Sequence, residues 1–260
     1  MKKIIYDLGA NNGDDIPYYL KKADLVVAVE ANPDLCRQIE KRFANEIEQK
    51  SVVVENFVVT DGTMSGDVLF YPHKFNHVLS QLPMPNDITQ FEEMLLPSKS
   101  VMELISTHGD PYYIKIDIEH YDAAILRALF TRNISPPYIS AESHSTEVFA
   151  LLVALGKYNA FKLVEGTSVA HTYRQHTITT RRGPETYSFP RHSSGPFGDD
   201  IPGHWMTADN FFRLLAFVNL GWKDIHATNV NIANANAVVE INSEHKVMLN
   251  CDGEILEVKI

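Results

Sequence analysis

The chain has 260 residues, 23 Lys and Arg against 33 Asp and Glu for a formal charge of −10, and 45% hydrophobic residues. That much apolar mass supports one sizeable core and excludes a disordered chain, while thirteen Gly and thirteen Pro are ordinary usage that excludes collagenous or low-complexity sequence. The acidic balance excludes a non-specific binder of nucleic acid or anionic membrane, and two cysteines, Cys36 and Cys251, are too few for a disulfide framework or a four-cysteine zinc site.

At the N-terminus the basic Met1-Lys2-Lys3 soon meets Asp7, and no apolar stretch has the length of a signal peptide or the ~20 residues of a membrane span. The chain reads as a soluble cytoplasmic protein with no membrane or nucleic-acid partner; a homo-oligomer stays open.

From the start to about residue 165, short apolar runs alternate with amphipathic stretches. Ile4–Leu8, Leu25–Val29, Val52–Val59, Tyr112–Ile116 and Tyr138–Ala141 are rich in β-branched or aromatic residues, as strands buried on both faces of a parallel sheet are. Between the second and third, Leu35, Ile39, Phe43 and Ile47 recur every four residues and predict a helix over Pro33–Lys50; Ile125 and Leu129 predict another over Tyr121–Phe130. Strands alternating with helices predict a doubly wound α/β sheet. Residues 167–206 lose this rhythm: Arg174, Arg181, Arg182 and Arg191 mix with His171, His176, His192 and His204 among repeated Gly and Pro. A long non-periodic stretch, locally basic, predicts a mobile cap over an anionic or polyhydroxylated ligand. Next, Thr207 is a helix N-cap, Phe211, Leu214, Leu215 and Val218 form an apolar stripe, and Gly221 supplies the stop. Three β-like runs follow: Ile225–Val230, Ala237–Ile241 with Lys246–Leu249, and Ile255–Ile260, with Asp252-Gly253 as a hairpin turn.

The chemistry concentrates at strand ends. Asp7-Leu8-Gly9-Ala10-Asn11-Asn12-Gly13 closes the first strand with glycines four apart, which lets a ligand approach the backbone and a helix N-terminus face a carboxylate or phosphate. Glu30 ends the second strand, where an acidic residue grips ribose hydroxyls. A dinucleotide fold wants Gly-x-Gly-x-x-Gly. The departure weighs against NAD and toward S-adenosylmethionine.

These segments resemble the class I S-adenosylmethionine-dependent methyltransferases, and within them the FkbM-type family. Besides Asp7–Gly13, the resemblance rests on Val29-Glu30-Ala31-Asn32-Pro33, on Ile114-Lys115-Ile116-Asp117-Ile118-Glu119-His120-Tyr121 and on Ile139-Ser140-Ala141-Glu142; His120 stands where the family carries glycine. It covers about residues 1–165. It implies a seven-stranded Rossmann-like sheet over residues 1–230, with strand six near Phe161–Val164 and strand seven near Ile225–Thr228, the cap inserted at 167–206 and residues 231–260 forming a C-terminal β extension. It also implies S-adenosylmethionine as cofactor and O-methylation of a sugar, glycan or natural-product hydroxyl. Asp7, Gly9, Asn11, Gly13 and Glu30 are the expected cofactor contacts, joined by Asn32 near the ribose or adenine, Asp61 at the adenine amino group, Ser80 facing the cofactor, and Asp117.

An alcohol acceptor must also lose a proton, so a base or metal is expected near the methyl. Asp117, Glu119, Glu142 and His144 cluster at the carboxyl ends of strands four and five and are the catalytic candidates, with His120 beside them. His144 or Asp117 as a metal-free base is the favoured route. In a metal-dependent enzyme, Asp117 and Glu142 would be the ligands of Mg2+ or Mn2+ rather than zinc. Two other classes stay open: a non-catalytic nucleotide-binding module, and an NAD(P)-dependent oxidoreductase with a degenerate glycine loop.

Overall fold

The computed structural model describes residues 2–230 and, beyond them, 238–241, 247–251 and 254–257. In chain order the strands are β1 (Ile4–Leu8), β2 (Leu25–Val29), β3 (Val52–Glu55), β4 (Val58–Thr60), β5 (Gly66–Phe70), β6 (Met94–Ser100), β7 (Tyr113–Ile116), β8 (Tyr138–Ser143), β9 (Ala160–Glu165), β10 (His176–Thr180), β11 (Gly183–Tyr187), β12 (Gly221–Thr228), β13 (Val238–Ile241), β14 (Val247–Cys251) and β15 (Glu254–Glu257). The helices are α1 (Ile16–Lys22), α2 (Pro33–Arg42), α3 (Ala44–Glu48), α4 (Val101–His108), α5 (Asp122–Thr131), α6 (Thr146–Ala154), α7 (Val169–Thr172) and α8 (Ala208–Val218).

Seven strands form the central sheet in the order β3-β2-β1-β7-β8-β12-β9. Neighbours from β3 to β8 are parallel, and β12 runs antiparallel to both β8 and β9. The chain winds outward in one direction from β1 and in the other from β7, so a crevice opens at their carboxyl ends, where open α/β sheets bind ligands. Both faces are covered. Helices α4, α5, α6 and α8 pack their apolar stripes on one face, and α1, α2 and the segment around 169–201 cover the other. Burial on both faces is why β2 reads as an unbroken apolar run and β1 and β7 as apolar runs broken by one charge each, Asp7 and Lys115.

The predicted run Val52–Val59 divides. β3 joins the central sheet, whereas β4 pairs with β6 in a smaller sheet of order β4-β6-β5. The break falls at Asn56, whose Nδ2 donates to the carbonyls of Glu30 and Ala31 at 2.9 and 3.0 Å and fixes a bend there. The predicted helix Pro33–Lys50 also divides, into α2 and α3. Phe43 between them leaves helical geometry (φ −115°, ψ 29°) and turns its ring under the Gly13 turn. At α8 the cap is as predicted, Thr207 Oγ1 accepting from Asn210 N at 3.4 Å, but the stop is not. The helix ends at Asn219 in the left-handed region (φ +63°), and Gly221 instead opens β12.

Residues 167–206 are not the unstructured loop that their composition predicts. They carry α7 and the β10–β11 hairpin, and their scattered apolar side chains enter the core beneath α1. Ile178, Phe189, Phe197 and Ile201 are buried, and the Phe197 ring lies stacked on Tyr113 at 4.0 Å between centroids. Beyond β12, the strands β13, β14 and β15 form an antiparallel sheet of their own. The Asp252-Gly253 turn, Ala237, Lys246 and residues 258–260 of the predicted runs lie outside the described residues. Among the described residues no helix is long and apolar enough to cross a membrane.

Candidate active site

β1 hands the chain to a turn that is bonded to β2: the N–H groups of Gly9 and Ala10 both donate to the Val29 carbonyl at 3.0 Å. Gly9 takes φ +84°, and a Cβ there would sit 1.9 Å from the Asp117 carbonyl oxygen. The close approach of β1 to the end of β7 by itself requires a glycine here, and Gly9 also lines the cavity at this end of the sheet. Gly13 also has a packing role: its Cα faces Phe43, Ile16 and Ile39, away from the crevice.

Glu30 lies under this turn, 8% exposed. Its two carboxylate oxygens accept from Asn11 N and Asn32 N, each at 2.8 Å. Burial nevertheless dominates and pushes the carboxyl up to about 7. Asn11 offers a buried Oδ1 with no partner. Asp7 does not reach the crevice. It is 1% exposed and faces Lys115, whose ammonium lies 3.4 Å from Asp7, 3.1 Å from Asp117 and 3.3 Å from the Gly9 carbonyl. Burial raises the Asp7 carboxyl above its usual range despite the lysine. Lys115, a lone cation in an apolar strand, is an organising residue that the sequence reading passed over.

A cavity of about 320 Å³ opens at this end of the sheet. On the β2 side its wall is apolar, formed by Leu35, Phe57, Val58, Val59, Phe70 and Leu82, with Gly9, Asn11 and Glu30 at its edge. The inserted sheet β4-β6-β5 and the loop holding Asn76–Ser80 supply much of that wall. Ser80 lines it as expected, its Oγ accepting from His73 N at 3.1 Å. Besides Asp7 and Gly13, two more expected cofactor contacts stand elsewhere. Asn32 caps α2, its Oδ1 accepting from Asp34 N at 2.9 Å, and only its N–H serves the site through Glu30. Asp61 turns to Tyr121, accepting from its hydroxyl at 2.9 Å and from Thr63; burial opposes but is outweighed, and these bonds hold its carboxyl below the usual range.

On the β7–β8 side the lining is polar: Asp117, Glu119, Glu142 and His144. His144 Nε2 sits 2.7 Å from Glu142 and 3.2 Å from Glu119. Burial disfavours the charged ring, but the two carboxylates outweigh it and push its pKa up to about 11. The two carboxylates favour the imidazolium, which weighs against His144 as the free base expected from sequence. Glu142, raised above the usual carboxylate range chiefly by burial, is the better proton acceptor. One oxygen each of Asp117, Glu119 and Glu142 lie within 4.8 Å of one another. His120 stays outside the cavity, its exposed ring 4.4 Å from that of His144. Its φ of +65° explains why a glycine suits this position.

Two contributors were missed, His77 and Trp222; His192–Ser194, from the stretch expected to cap the ligand, also line the cavity. Asp15, at the end of the first turn, holds that segment by accepting from the Ser193 hydroxyl and, at 3.1 Å, from Ser194 N.

No curated protein matches the chain. Among solved structures it is similar to the FkbM methyltransferase of Methylobacillus flagellatus KT, with 15% identity over 62% of this chain and 39% of that one and a TM-score of 0.40. It is also similar to the precorrin-6y C5,15-methyltransferase of Geobacter metallireducens GS-15 (13% identity, 63% of this chain and 66% of that one, TM-score 0.39). A third likeness is to an S-adenosylmethionine-dependent O-methyltransferase of Thermotoga maritima (9%, 88% and 60%, TM-score 0.38). The alignment thus spans well under half of the Methylobacillus chain. Residues 7–172, more than half of the sequence and including the end of β1, Glu30, the β7 segment and Glu142, match the methyltransferase FkbM domain, and the chain belongs to that family.

Proposed function

We propose that the protein transfers a methyl group from S-adenosylmethionine to a hydroxyl of a sugar, glycan or natural product. The observation that carries this is one cavity of about 320 Å³ that joins an apolar side beside Glu30 to a carboxylate–imidazolium side at the ends of β7 and β8. The residues fit the cofactor. The apolar wall suits a purine, the Glu30 carboxylate has lone pairs left for a ribose diol, and the partnerless Asn11 Oδ1 awaits a donor. When bound, S-adenosylmethionine supplies an electrophilic methyl on a sulfonium.

The chain's own work is positioning and proton removal. Holding an acceptor hydroxyl against the polar side supplies most of the acceleration, because a bimolecular encounter becomes a fixed geometry. Glu142 takes the hydroxyl proton as the new C–O bond forms, its raised pKa matching it to that task near neutral pH. His144 stays protonated, orients Glu142 and Glu119, and offsets their charge. The spacing of Asp117, Glu119 and Glu142 favours one second reading, a divalent cation that activates the hydroxyl directly. Labelled S-adenosylmethionine incubated with nucleotide sugars, oligosaccharides and polyketides, before and after exhaustive chelation, tests both. Label transfer that survives chelation supports Glu142 as base, and loss restored by Mg2+ supports the cation. In thermal-shift measurements S-adenosylhomocysteine raises the Tm, by about 2.7 kcal/mol of stability at a hundred times Kd. A shift with NAD instead would overturn the methyltransferase reading.

A further inference from the structure

Trp222 lies outside the residues that match the family domain, and four features of the fold place it. Because β12 is antiparallel to its neighbours, its first residues arrive at the same edge of the sheet where β7 and β8 end. Gly221 enters the strand at φ +140°, and the pairing with β8 shifts register between Gly221 and Asp224. Such a bulge re-aims a side chain, and bulges recur beside active sites. The indole edge rests on Gly166, where any Cβ would fall 2.4 Å from the Trp222 Nε1. Lys223, next in the chain, pairs with Glu165 at 3.1 Å and holds the strand in register with β9. A large aromatic ring is thus fixed in place and yet 48% exposed, on the wall that it shares with Glu119, Glu142 and His144.

A half-exposed indole lining the same cavity as these carboxylates suits one ligand chemistry well. A pyranose ring presents a face of C–H groups to an aromatic surface and a rim of hydroxyls to hydrogen-bond acceptors. We infer that Trp222 is the stacking platform of the acceptor subsite, and that the acceptor is a saccharide whose pyranose ring lies on the indole with its hydroxyl rim toward Glu119, Glu142 and His144. This rests on the methyltransferase reading and narrows its substrate class. An acidic wall also favours a neutral ring over a phosphorylated one.

The chain holds two tryptophans, and the other, Trp205, is buried at 4% exposure, so emission changes on ligand binding report Trp222. The probes are neutral methyl hexopyranosides and their trisaccharides, with catechol as a planar non-sugar control, titrated in the presence of S-adenosylhomocysteine. At least one saccharide gives a saturable emission change. In Trp222→Leu its Kd, read by calorimetry, rises about tenfold or more while S-adenosylhomocysteine affinity stays within about twofold, and Trp222→Tyr recovers most of the loss. Saccharide binding undiminished in Trp222→Leu, no saccharide binding at all, or binding of catechol alone overturns the inference. If the wild-type chain does not bind S-adenosylhomocysteine, the methyltransferase reading itself has failed, and the two failures are distinguishable.

Discussion

Glu30 receives an N–H from each of two loops and still keeps lone pairs for a ligand. Burial holds its carboxyl near pH 7, so a change in solution pH switches it between a weak and a strong acceptor. A ribose diol binds the ionised form better, because hydrogen bonds to charged groups contribute roughly 1.5–3 kcal/mol each. Affinity for S-adenosylhomocysteine is therefore expected to rise between pH 6 and 8, as the ionised fraction climbs from about one tenth to about nine tenths. Glu30→Gln should weaken binding about tenfold at pH 8 and flatten that rise. Calorimetry across the range checks both, and an unchanged slope in the variant removes Glu30 from the ribose site.

The segment 173–201 is packed and bonded into the fold although its composition reads as a loop. Asp200 accepts from the Tyr18 hydroxyl and from Thr179 N, each at 2.8 Å, and pairs with Lys22 at 2.6 Å, so the far end of the segment is fastened to α1. With Phe197 stacked on Tyr113, Phe197→Ala is expected to cost about 3–5 kcal/mol and lower the Tm by about 10 °C. Hydrogen exchange on the ligand-free protein separates the readings: slow exchange through β10 matches a packed element, and rapid exchange restores the mobile cap. Sequence reasoning missed this because Tyr173, Ile178, Phe189 and Phe197 enter the core one at a time, without a strand or helix period. The central sheet was legible for the opposite reason, since β1, β2 and β7 are buried on both faces and carry only Asp7 and Lys115 as charged residues. The inserted sheet was not, because β5 and β6 are largely exposed and their sequences, Gly66-Asp67-Val68-Leu69-Phe70 and Met94-Leu95-Leu96-Pro97-Ser98-Lys99-Ser100, lack the alternation of a half-buried strand, with a proline inside β6. At the site, Glu30, Asp117 and Glu142 were legible from their strand ends. Trp222 was not, since a bulge leaves no periodic trace.

Across the whole molecule, buried acids set the response to pH. Glu30 rises from 4.5 to about 7, and Asp7, Asp15 and Asp224 are all raised, each primarily by burial. At these acids the folded chain keeps protons that the unfolded chain has already released, so their contribution to stability falls as pH rises from about 4.5 through 7, Glu30 alone accounting for about 3 kcal/mol. Lys115, raised by its carboxylates against the pull of burial, stays charged in both states over this window. His226 opposes the acids: burial pushes its imidazole from 6.5 down to about 3, so its contribution to stability rises with pH up to about 6.5. The fall is therefore expressed above that point: the ligand-free protein should melt higher at pH 6.5 than at pH 8, and Glu30→Gln should reduce the difference; a Tm that climbs steadily over that range overturns the assignment. A different consequence follows from Asp15, which ends the turn carrying Gly9 and Asn11 and also holds Ser193 and Ser194. The two halves of the cavity share this joint, so cofactor and saccharide are expected to bind with positive heterotropic cooperativity. Each then raises the other's affinity by the same factor, as reciprocity demands. Titrating S-adenosylhomocysteine with and without the saccharide measures that factor, and Ser193→Ala should bring it close to one while each ligand, taken alone, still binds.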